Sequence, residues 1–296
     1  MLGLGAANLG GVYGAVDERQ AIHTVHRAFE LGVTLFDASP YYGNTLAETV
    51  LGKALQTLSR DRFVLSTKAG RYGPNDFDFS PARLRRSLDE SLRRLHTDHV
   101  DLFLLHDVEF SDLDRTLQEG LPAIAALKAT GKVRHIGFTG LPLAIFRRAL
   151  VLRVPFDVVM SYCHATLLDT TLDQLAPSLA ERGIGLLNAS AAAMGLLSSH
   201  GPREWHPAPP AMRAACRRAA ELCTARGVEL AELALSFTCS LPGPAATLCG
   251  TADPRELERN VQAVTTPPDP ELLAAVRGLL AEVFDQTWPQ GRPENQ

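Results

Sequence analysis

Short apolar runs alternate along the chain with longer stretches in which apolar residues recur every three or four positions. The first pattern is typical of buried strands and the second of amphipathic helices. Eight strands are predicted, at Leu2–Gly5, Val33–Asp37, Phe63–Lys68, Val100–His106, Val133–Phe138, Phe156–Met160, Ile184–Asn188 and Ala246–Cys249. Helices are predicted at Asp17–Leu31, Leu46–Leu58, Ser80–Leu95, Leu113–Thr130, Leu143–Leu152, Thr171–Arg182 and Pro270–Phe284. This alternation predicts an α/β fold, a (β/α)8 TIM barrel with right-handed crossovers.

Two segments exceed what a minimal barrel needs. The stretch Gly195–Pro210 is rich in Gly, Pro, Ser and His and carries Trp205 and His206. A loop of this length at the C-terminal end of a strand is typical of a functional loop. The tail, 268–296, contains the last predicted helix, and we expect it to fold over one barrel end. No linker, repeat or low-complexity block interrupts the chain, so residues 1–296 are predicted to form a single domain.

Composition and charge narrow the class of protein. Hydrophobic residues make up 46% and charged residues 21% of the 296 residues, which is enough for a large core. The net charge of −4, without a stripe of Lys and Arg, argues against a nucleic-acid partner. No leader pattern and no apolar run near about 18 residues is present, so no membrane partner is expected. The five cysteines are scattered without metal-ligand spacing, which indicates reduced thiols in a cytoplasmic protein and no metal site.

Four side chains suited to proton transfer stand at the ends of three consecutive predicted strands. Asp37 ends the second strand and is followed closely by Tyr42, while Lys68 and His106 end the third and fourth strands. The C-terminal ends of barrel strands meet at one mouth, so the four side chains are expected to form one site. Each residue alone is common as a turn residue, a solvated charge or a buried histidine. Their occurrence together favours a catalytic site.

The four residue types can act as one proton-transfer unit without a metal. A tyrosine with its ordinary pKa of about 10 is a poor acid or base at neutral pH. The ammonium of Lys68 would lower the pKa of Tyr42, and Asp37 would pair with Lys68 and hold it in place. His106 would hydrogen-bond the reacting oxygen and orient it.

The segments around these residues resemble the signature sequences of the aldo-keto reductase family. The matching segments are Phe36–Gly43, Glu48, Ser66–Lys68, Asp101–His106 and Ile136–Thr139. The resemblance covers essentially the whole chain, and it implies that Asp37, Tyr42, Lys68 and His106 are the catalytic tetrad. Tyr42 rather than Tyr41 takes the role of the catalytic tyrosine, because the tyrosine of the family directly precedes the glycine.

Further segments are similar to a branch of that family that oxidises the anomeric carbon of free sugars, such as L-galactose or L-fucose, to lactones. These segments are Ser39–Gly43, Ser161–His164, Ala193–Leu197, Gly201–Pro207 and Thr287–Pro289. The resemblance implies a small-molecule sugar substrate. The substrate contacts it implies are Tyr42, His106, His164, Trp205 and His206. Asp107 and Glu109 add polar groups at the mouth, and the identity of the sugar stays open.

The sequence does not favour a Rossmann-type dinucleotide site. Gly3 and Gly5 are followed by Asn8 where the third glycine of G-x-G-x-x-G is needed. The family resemblance implies instead an extended nicotinamide dinucleotide across the barrel mouth. The contacts it implies are Gly5, Ala6, Thr139, Ser161, Ser190, Met194, Gly195, Leu196, Gly250, Thr251, Glu256 and Asn260.

The segment after the last predicted strand favours NAD over NADP. Family members that use NADPH carry a Lys and an Arg where Gly250 and Glu256 stand in this chain. A carboxylate repels the 2′-phosphate of NADP, and the bidentate arginine partner is missing. Arg255 and Arg259 flank these positions and would partly restore NADP binding.

The chain departs from the common family pattern at the carboxamide end of the cofactor. Thr139 is followed by Gly140 where an Asn is frequent, and Val159 stands in place of a Gln, with Ser161 nearby as a substitute. Ala189 stands in place of the aromatic that stacks on the nicotinamide. These departures leave the tetrad intact.

Three alternatives to sugar oxidation stay open. The first is an NADPH-dependent aldehyde or ketone reductase, against which Gly250 and Glu256 argue. The second is a nicotinamide-binding regulatory or scaffold subunit, which has no need to keep Tyr42 and Lys68 together. The third is a generic phosphate-binding barrel enzyme, which is disfavoured because no glycine-rich phosphate loop follows the last strands. The oligomeric state is left open.

Overall fold

The protein is a closed barrel of eight parallel strands, seen in a computed structural model that describes residues 1–296. The strands follow one another around the barrel in chain order, and the first pairs with the last to close it. They are β1 Leu2–Gly5, β2 Leu35–Asp37, β3 Val64–Ala69, β4 Val100–Leu105, β5 Val133–Gly140, β6 Val158–Tyr162, β7 Gly185–Ala189 and β8 Ala246–Cys249. The predicted (β/α)8 barrel is confirmed.

Eleven α-helices connect the strands and complete the chain. They are α1 Glu18–Glu30, α2 Leu46–Leu55, α3 Pro81–Arg94, α4 Leu113–Arg115, α5 Leu121–Ala125, α6 Leu143–Leu152, α7 Ala176–Ala180, α8 Pro210–Ala225, α9 Leu230–Ser240, α10 Pro254–Thr265 and α11 Pro270–Leu280. The starts of α1 and α3 are capped by Asp17 and Ser80, whose side chains accept hydrogen bonds from backbone N–H groups in the first turn. None of these helices combines the length and the apolar character needed to cross a membrane.

The single helix predicted over Leu113–Thr130 is wrong. The segment is divided into α4, a π-helical turn at Thr116–Gly120, α5 and a 3-10 turn at Ala126–Thr130. Pro122 lies just inside α5 and has no N–H to donate to the preceding turn. The wider π turn lies directly before this interruption, as expected where the α-helical hydrogen-bond ladder is broken.

The helix predicted over Thr171–Arg182 is also shorter than expected. A 3-10 turn occupies Thr171–Gln174, and only α7 is α-helical, with Pro177 in its first turn. Between β7 and β8 the chain forms two helices, α8 and α9, which the apolar spacing did not separate. They pack with α11 around a second apolar cluster, which contains Trp288.

Side chains of the strands alternate between the barrel interior and the surrounding helices. The interior is filled by a small apolar cluster of Leu35, Leu104, Val158, Met160, Leu187, Ala246 and Leu248. The strand neighbours Phe36, Phe103 and Val159 belong instead to the large cluster between strands and helices. Because successive strand residues face opposite sides, this alternation determines which side chains at the strand ends point into the mouth.

The C-terminal tail lies against the segment that follows β4, at the mouth end of the barrel. The carbonyl oxygen of Glu109 accepts hydrogen bonds from the backbone N–H of Arg292 at 2.9 Å and from Asn295 Nδ2 at 2.8 Å. A Cβ atom on Gly291 would stand 2.5 Å from the same carbonyl oxygen, so only glycine permits this approach. The tail therefore contributes to the wall of the mouth beside β4.

Candidate active site

The ends of β2 and β3 place Asp37 and Lys68 side by side at the mouth. The Lys68 ammonium donates to Asp37 Oδ2 at 2.5 Å, to the carbonyl oxygen of Ala38 at 2.9 Å and to the Tyr42 hydroxyl at 3.3 Å. Asp37 Oδ1 accepts from Ser66 Oγ at 2.7 Å. Both charged side chains are almost fully buried, at 1% and 3% exposure. All three ammonium hydrogens have acceptors, so Lys68 is fixed in one orientation beneath Tyr42.

β3 itself is anchored from outside the barrel next to Lys68. Thr67, whose side chain faces the helices, donates to the buried carboxylate of Glu48 on α2 at 2.6 Å. The second oxygen of Glu48 accepts from Arg94 Nε on α3, also at 2.6 Å. This bridge joins two helices to the strand, and it fixes the position from which Lys68 enters the mouth.

The environment of Tyr42 does not lower the pKa of its hydroxyl. Burial and the carboxylates of Asp37 and Asp107 raise the pKa of Tyr42 well above its ordinary value, and the charge of Arg71 opposes this only in part. The positive charge of Lys68 is offset by Asp37 at 2.5 Å. The expectation that Lys68 brings this pKa below its ordinary value is therefore wrong for this arrangement. The ammonium, 3.3 Å from the hydroxyl, favours the phenolate but does not outweigh burial and the two carboxylates, so Tyr42 keeps its proton at neutral pH.

His106 is a neutral hydrogen-bonding group between Tyr42 and Ser39. Its ring lies perpendicular to the Tyr42 ring at a centroid distance of 5.4 Å, and its Nδ1 is 2.8 Å from Ser39 Oγ. Burial lowers the pKa of His106 to about 3, although the nearby carboxylate of Asp107 acts in the opposite direction. The imidazole is thus uncharged throughout the neutral range. It can position a hydroxyl group but brings no positive charge to it.

Two charged residues that the sequence analysis did not place in the catalytic unit stand beside it. Arg71, two residues beyond β3, pairs with Asp107 through an Nη1–Oδ2 contact of 2.5 Å. Asp107 Oδ2 also lies 3.6 Å from His106 Nε2. Sequence analysis named Asp107 only as a polar group at the mouth and did not name Arg71. The available signal was their position, since each follows a tetrad residue within three positions.

Glu109 is a buried acid that links β4 to the tail. Its Oε1 accepts from the Leu141 N–H and the Tyr162 hydroxyl, both at 3.1 Å, and from Gln290 Nε2 at 3.3 Å. Burial, together with the neighbouring charge of Asp107, raises the pKa of Glu109 to about 8. Its carboxyl group is therefore mostly protonated at neutral pH.

The raised pKa of Glu109 makes stability depend on pH in a defined direction. Between its ordinary value of 4.5 and about 8, the folded state binds a proton that the unfolded state has released. The contribution of Glu109 to the free energy of unfolding consequently falls as the pH rises from 4.5 to about 8. The unfolding free energy of Glu109→Gln minus that of the wild type is therefore expected to be larger at pH 9 than at pH 5, by on the order of 3–5 kcal/mol. Urea unfolding at both pH values measures the difference.

The matched control is Glu119→Gln, which changes an exposed carboxylate in the same segment after β4. Its difference from the wild type should be the same at both pH values. A difference for Glu109→Gln that does not grow with pH would show that Glu109 is ionised in the folded protein at neutral pH.

Of the residues predicted to hold the carboxamide, the structure brings Thr139 but not Ser161 to the mouth. Thr139 Oγ1 donates to Asp107 Oδ1 at 3.0 Å and accepts from the Asp107 N–H at 2.9 Å. Ser161 lies on the same strand face as Val159, towards the helices, and its buried hydroxyl has no partner. The cofactor contact of Ser161 stays a prediction, and Tyr162 is the inward-facing residue at that strand end.

A strained turn follows β7 where four cofactor contacts were predicted. Ser190, Met194 and Gly195 all have positive φ, at 59°, 54° and 93°, and Leu196 returns to helical geometry. Non-glycine residues in this region are uncommon and are concentrated at functional sites. The turn lies at the mouth end of the barrel, so its backbone is placed to contact an extended ligand across that end.

The segment after β8 is preorganised around Thr251. Thr251 Oγ1 donates to Glu256 Oε2 at 2.6 Å, and both Thr251 and Asn260 are buried. A Cβ atom on Gly250 would stand 2.5 Å from Asn8 Oδ1, so a side chain there is excluded unless Asn8 moves. A Lys at position 250 would therefore require the Asn8 side chain to move.

β1 and the loop that follows it lie next to the segment after β8. Gly5 pairs with Asp37 across β1 and β2, and the Ala6 N–H donates to the Asp37 carbonyl oxygen at 2.8 Å. Next to this loop is a cavity of about 260 Å³. Its lining consists of Asn8, Tyr13, Gly14, Ala15, Val16, Arg203 and Ala252. The cavity is thus lined by residues of the β1 loop, by Ala252 after β8 and by Arg203.

The three residues predicted as further substrate contacts have different environments. His164 is buried with Nδ1 held by Asp169 at 2.8 Å, while its Nε2 has no partner. His206 donates from Nε2 to the Ala193 carbonyl oxygen and accepts at Nδ1 from the Ala208 N–H, both at 3.1 Å. Both ring nitrogens of His206 are thus engaged by backbone, and its role in substrate binding stays a prediction.

Trp205 is the exposed member of that group. Its side chain is 53% exposed, and its ring lies 6.0 Å from the Tyr13 ring, above the cavity beside the β1 loop. His206 instead packs under it against Trp288, at a centroid distance of 4.8 Å. Trp205 is therefore an exposed aromatic, and the adjacent His206 is buried against Trp288.

Comparison with known proteins supports the family. A sequence model of the Aldo/keto reductase family matches residues 1–281. L-galactose dehydrogenase from Arabidopsis thaliana is 45% identical over an alignment of 303 residues that covers 99% of this chain and 94% of that protein. D-threo-aldose 1-dehydrogenase from Pseudomonas sp is 32% identical, with 88% of each chain covered.

A solved structure agrees with these relatives. The aldo-keto reductase AKR11C1 from Bacillus halodurans, in its holo form, matches with a TM-score of 0.77 and 26% identity, covering 98% of this chain and 94% of that chain. The tetrad geometry, the barrel and the full-length sequence match are consistent with one another. The chain therefore belongs to the aldo/keto reductase family and is an oxidoreductase of that family.

Proposed function

We propose that this enzyme oxidises the anomeric carbon of a free aldose to the lactone, with NAD as the hydride acceptor. The observation that carries the proposal is the tetrad itself, in which the Tyr42 hydroxyl lies 3.3 Å from Lys68 Nζ and beside a neutral His106. Two similar relatives that are named for sugar oxidation, L-galactose dehydrogenase and D-threo-aldose 1-dehydrogenase, support an aldose as the substrate.

The side chains divide the proton chemistry between them. His106 orients the anomeric hydroxyl, and the phenolate form of Tyr42 takes its proton as the C1–H bond breaks. Lys68 stabilises the negative charge on Tyr42, and Asp37 keeps Lys68 in position. When bound at the mouth, an oxidised nicotinamide would supply the acceptor for the hydride of C1 and a positive charge. One hydride and one proton thus leave the cyclic hemiacetal, and a lactone remains.

The residues at the mouth suit an extended nicotinamide dinucleotide. The carboxamide end would face Thr139 and the turn that contains Ser190, and the turn at Met194–Leu196 would contact the phosphates. The adenosine end would lie beside Thr251 and Asn260, next to the cavity between the β1 and β8 loops. The short Thr251–Glu256 hydrogen bond holds a carboxylate where it can accept from a ribose hydroxyl.

The choice of NAD over NADP rests on Glu256, and it can be reversed there. Glu256→Arg is expected to lower the KM for NADP by about 10- to 100-fold, since a charge-assisted hydrogen bond to phosphate contributes roughly 1.5–3 kcal/mol. Initial rates with each nucleotide measure the change.

A matched control for the cofactor prediction is Glu258→Arg on the same helix. Glu258 is half-exposed and is paired with Arg27 on α1, on the side away from Thr251. This variant should keep the wild-type preference. A wild-type enzyme that prefers NADP, or equal effects of both substitutions, would contradict the role given to Glu256.

The proposed reaction is tested with a panel of free aldoses. L-galactose, L-fucose and D-arabinose are incubated with NAD, and the reduced nucleotide is followed by absorbance. The methyl glycoside of each sugar is the control, because its anomeric oxygen carries no proton to remove. We expect turnover of at least one free sugar and none of its glycoside. Equal turnover of both forms, or activity only as an aldehyde reductase with NADPH, would refute the proposal.

A further inference from the structure

A buried ion pair stands next to the reacting groups, and the proton chemistry does not use it. Arg71 and Asp107 are 13% and 8% exposed, and they come from the loops that follow β3 and β4. Asp107 Oδ2 is 3.6 Å from His106 Nε2, and both charges act on the Tyr42 hydroxyl. The pair is therefore adjacent to the position where the reacting hydroxyl is held.

The pair is fixed from several sides. Thr139 holds Asp107 Oδ1 through the two hydrogen bonds described above, which leaves Oδ2 facing Arg71 and His106. The guanidinium of Arg71 lies 4.0 Å from the Tyr41 ring centroid and 5.0 Å from that of Phe110. Its Nη2 donates to the Tyr41 hydroxyl at 3.2 Å. Neither charge can turn away without losing these contacts, so the pair is preorganised.

Fold stability does not account for such a pair. A buried ion pair gains little net stability over apolar residues of the same volume, because both charges must be desolvated. Arg71 Nε is also buried without any hydrogen-bond partner, and Asp107 has φ of 53°, in the left-handed region. An unsatisfied buried donor and a left-handed residue beside catalytic groups both indicate a site that a ligand completes.

The chemistry of the pair fits a hydroxyl group. A hydroxyl donates one hydrogen bond and accepts others, and this pair offers a carboxylate acceptor next to guanidinium donors. A sugar whose anomeric hydroxyl lies at Tyr42 and His106 carries its next hydroxyl on the adjacent carbon. Asp107 is a carboxylate acceptor beside His106, with its Oδ2 3.6 Å from His106 Nε2.

We propose that Arg71 and Asp107 form a specificity-determining subsite that binds the C2 hydroxyl of the aldose. This inference rests on the proposed oxidation of an aldose at its anomeric carbon. A substrate without that hydroxyl leaves the carboxylate and guanidinium without their ligand, and sites built for a hydroxyl discriminate strongly against analogues that lack it. The pair thereby favours sugars over simple alcohols and aldehydes.

The test compares the preferred aldose with its 2-deoxy analogue in the wild type and in Asp107→Asn. For the wild type, kcat/KM is expected to be about 10- to 100-fold lower with the 2-deoxy sugar, in line with the loss of a hydrogen bond to a charged group. In Asp107→Asn this ratio should shrink to within about threefold, because the Thr139 hydroxyl holds the amide oxygen at the position of Oδ1 and an uncharged NH2 group, which cannot accept, replaces Oδ2. Both rates come from one preparation, so the ratio does not depend on how much of the variant is folded.

A second pair of sugars serves as the positional control. L-galactose and L-fucose differ at C6, so the ratio of their rates should be the same in the wild type and in Asp107→Asn. If Asp107→Asn leaves Arg71 buried without a partner and does not fold, the double variant Arg71→Met/Asp107→Asn removes both charges and is expected to show the same small 2-deoxy ratio.

The outcomes separate this inference from the proposed function. An unchanged 2-deoxy ratio in both variants, with aldose oxidation intact in the wild type, overturns the subsite alone. If Asp107→Asn changes the 2-deoxy ratio and the ratio of L-galactose to L-fucose by the same factor, Asp107 has a structural role, and the proposed subsite is overturned. Absence of aldose oxidation in the wild type overturns the proposed function and, with it, the subsite.

Discussion

Replacing Tyr42 by Phe is expected to lower kcat for sugar oxidation by about 100- to 10,000-fold, the range typical for loss of a general acid–base group. The substitution removes a single oxygen. Lys68 keeps two acceptors, Asp37 and the Ala38 carbonyl oxygen, and the Tyr42 ring keeps its perpendicular contact with His106. Cofactor binding should therefore change little. Steady-state rates and a titration of protein fluorescence with NAD measure the two effects separately.

Tyr72→Phe is the matched control for this variant. Tyr72 also lies beyond a strand end, where its hydroxyl accepts from the Gly70 N–H at 3.2 Å and its ring is covered by Arg83. It has no contact with the tetrad, so kcat should stay within a few fold of the wild type. If Tyr42→Phe retained comparable activity, the proton acceptor would have to be another group.

The pH profile of the wild type provides a second check on Tyr42. Burial and the charges of Asp37 and Asp107 raise the pKa of the Tyr42 hydroxyl, so the phenolate base is scarce at neutral pH. The rate of oxidation should consequently rise with pH across the neutral range. His106, whose pKa is lowered to about 3, titrates too far below this range to cause the rise. In Asp107→Asn one of the raising charges is removed, and the rise should move to lower pH.

The barrel and the tetrad could be predicted from the sequence for one physical reason. The C-terminal ends of parallel barrel strands converge, so residues that end consecutive strands meet whatever the exact strand bounds are. The second strand begins at Leu35 rather than Val33, yet Asp37 still ends it and faces the mouth. An error of two residues at the start of a strand does not move its end.

The strand face on which a residue lies, and the partner that a buried charge meets, could not be predicted in this way. Ser161 lies on the outward face of its strand, and one step along a strand reverses the side to which a residue points. The Arg71–Asp107 pair depends on the left-handed backbone at Asp107 and on the rings of Tyr41, Phe77 and Phe110, which pack against the Arg71 guanidinium. Nothing in the spacing of the chain indicates that these groups meet. The raised pKa of Tyr42 is of the same kind, since it follows from burial and from Asp107.

Lys68→Met is expected to abolish measurable turnover and also to destabilise the fold. The substitution leaves the Asp37 carboxylate buried with Ser66 as its remaining side-chain donor. Removing one partner of a buried ion pair typically costs about 3–5 kcal/mol, because the other charge stays desolvated and unpaired. Urea unfolding measures this loss, and steady-state assays measure turnover under conditions where the variant is folded.

The double variant Asp37→Asn/Lys68→Met separates the two effects of Lys68. It removes both charges and keeps a hydrogen-bonding side chain beside Ser66, so most of the lost stability should return. Turnover should stay absent, because the ammonium that lies 3.3 Å from the Tyr42 hydroxyl is gone. Recovery of stability without activity would show that Lys68 acts on Tyr42 and not only through the fold. Recovery of both would mean that the positive charge has no part in the proton transfer, and loss of both would mean that the pair is needed for packing at the barrel mouth.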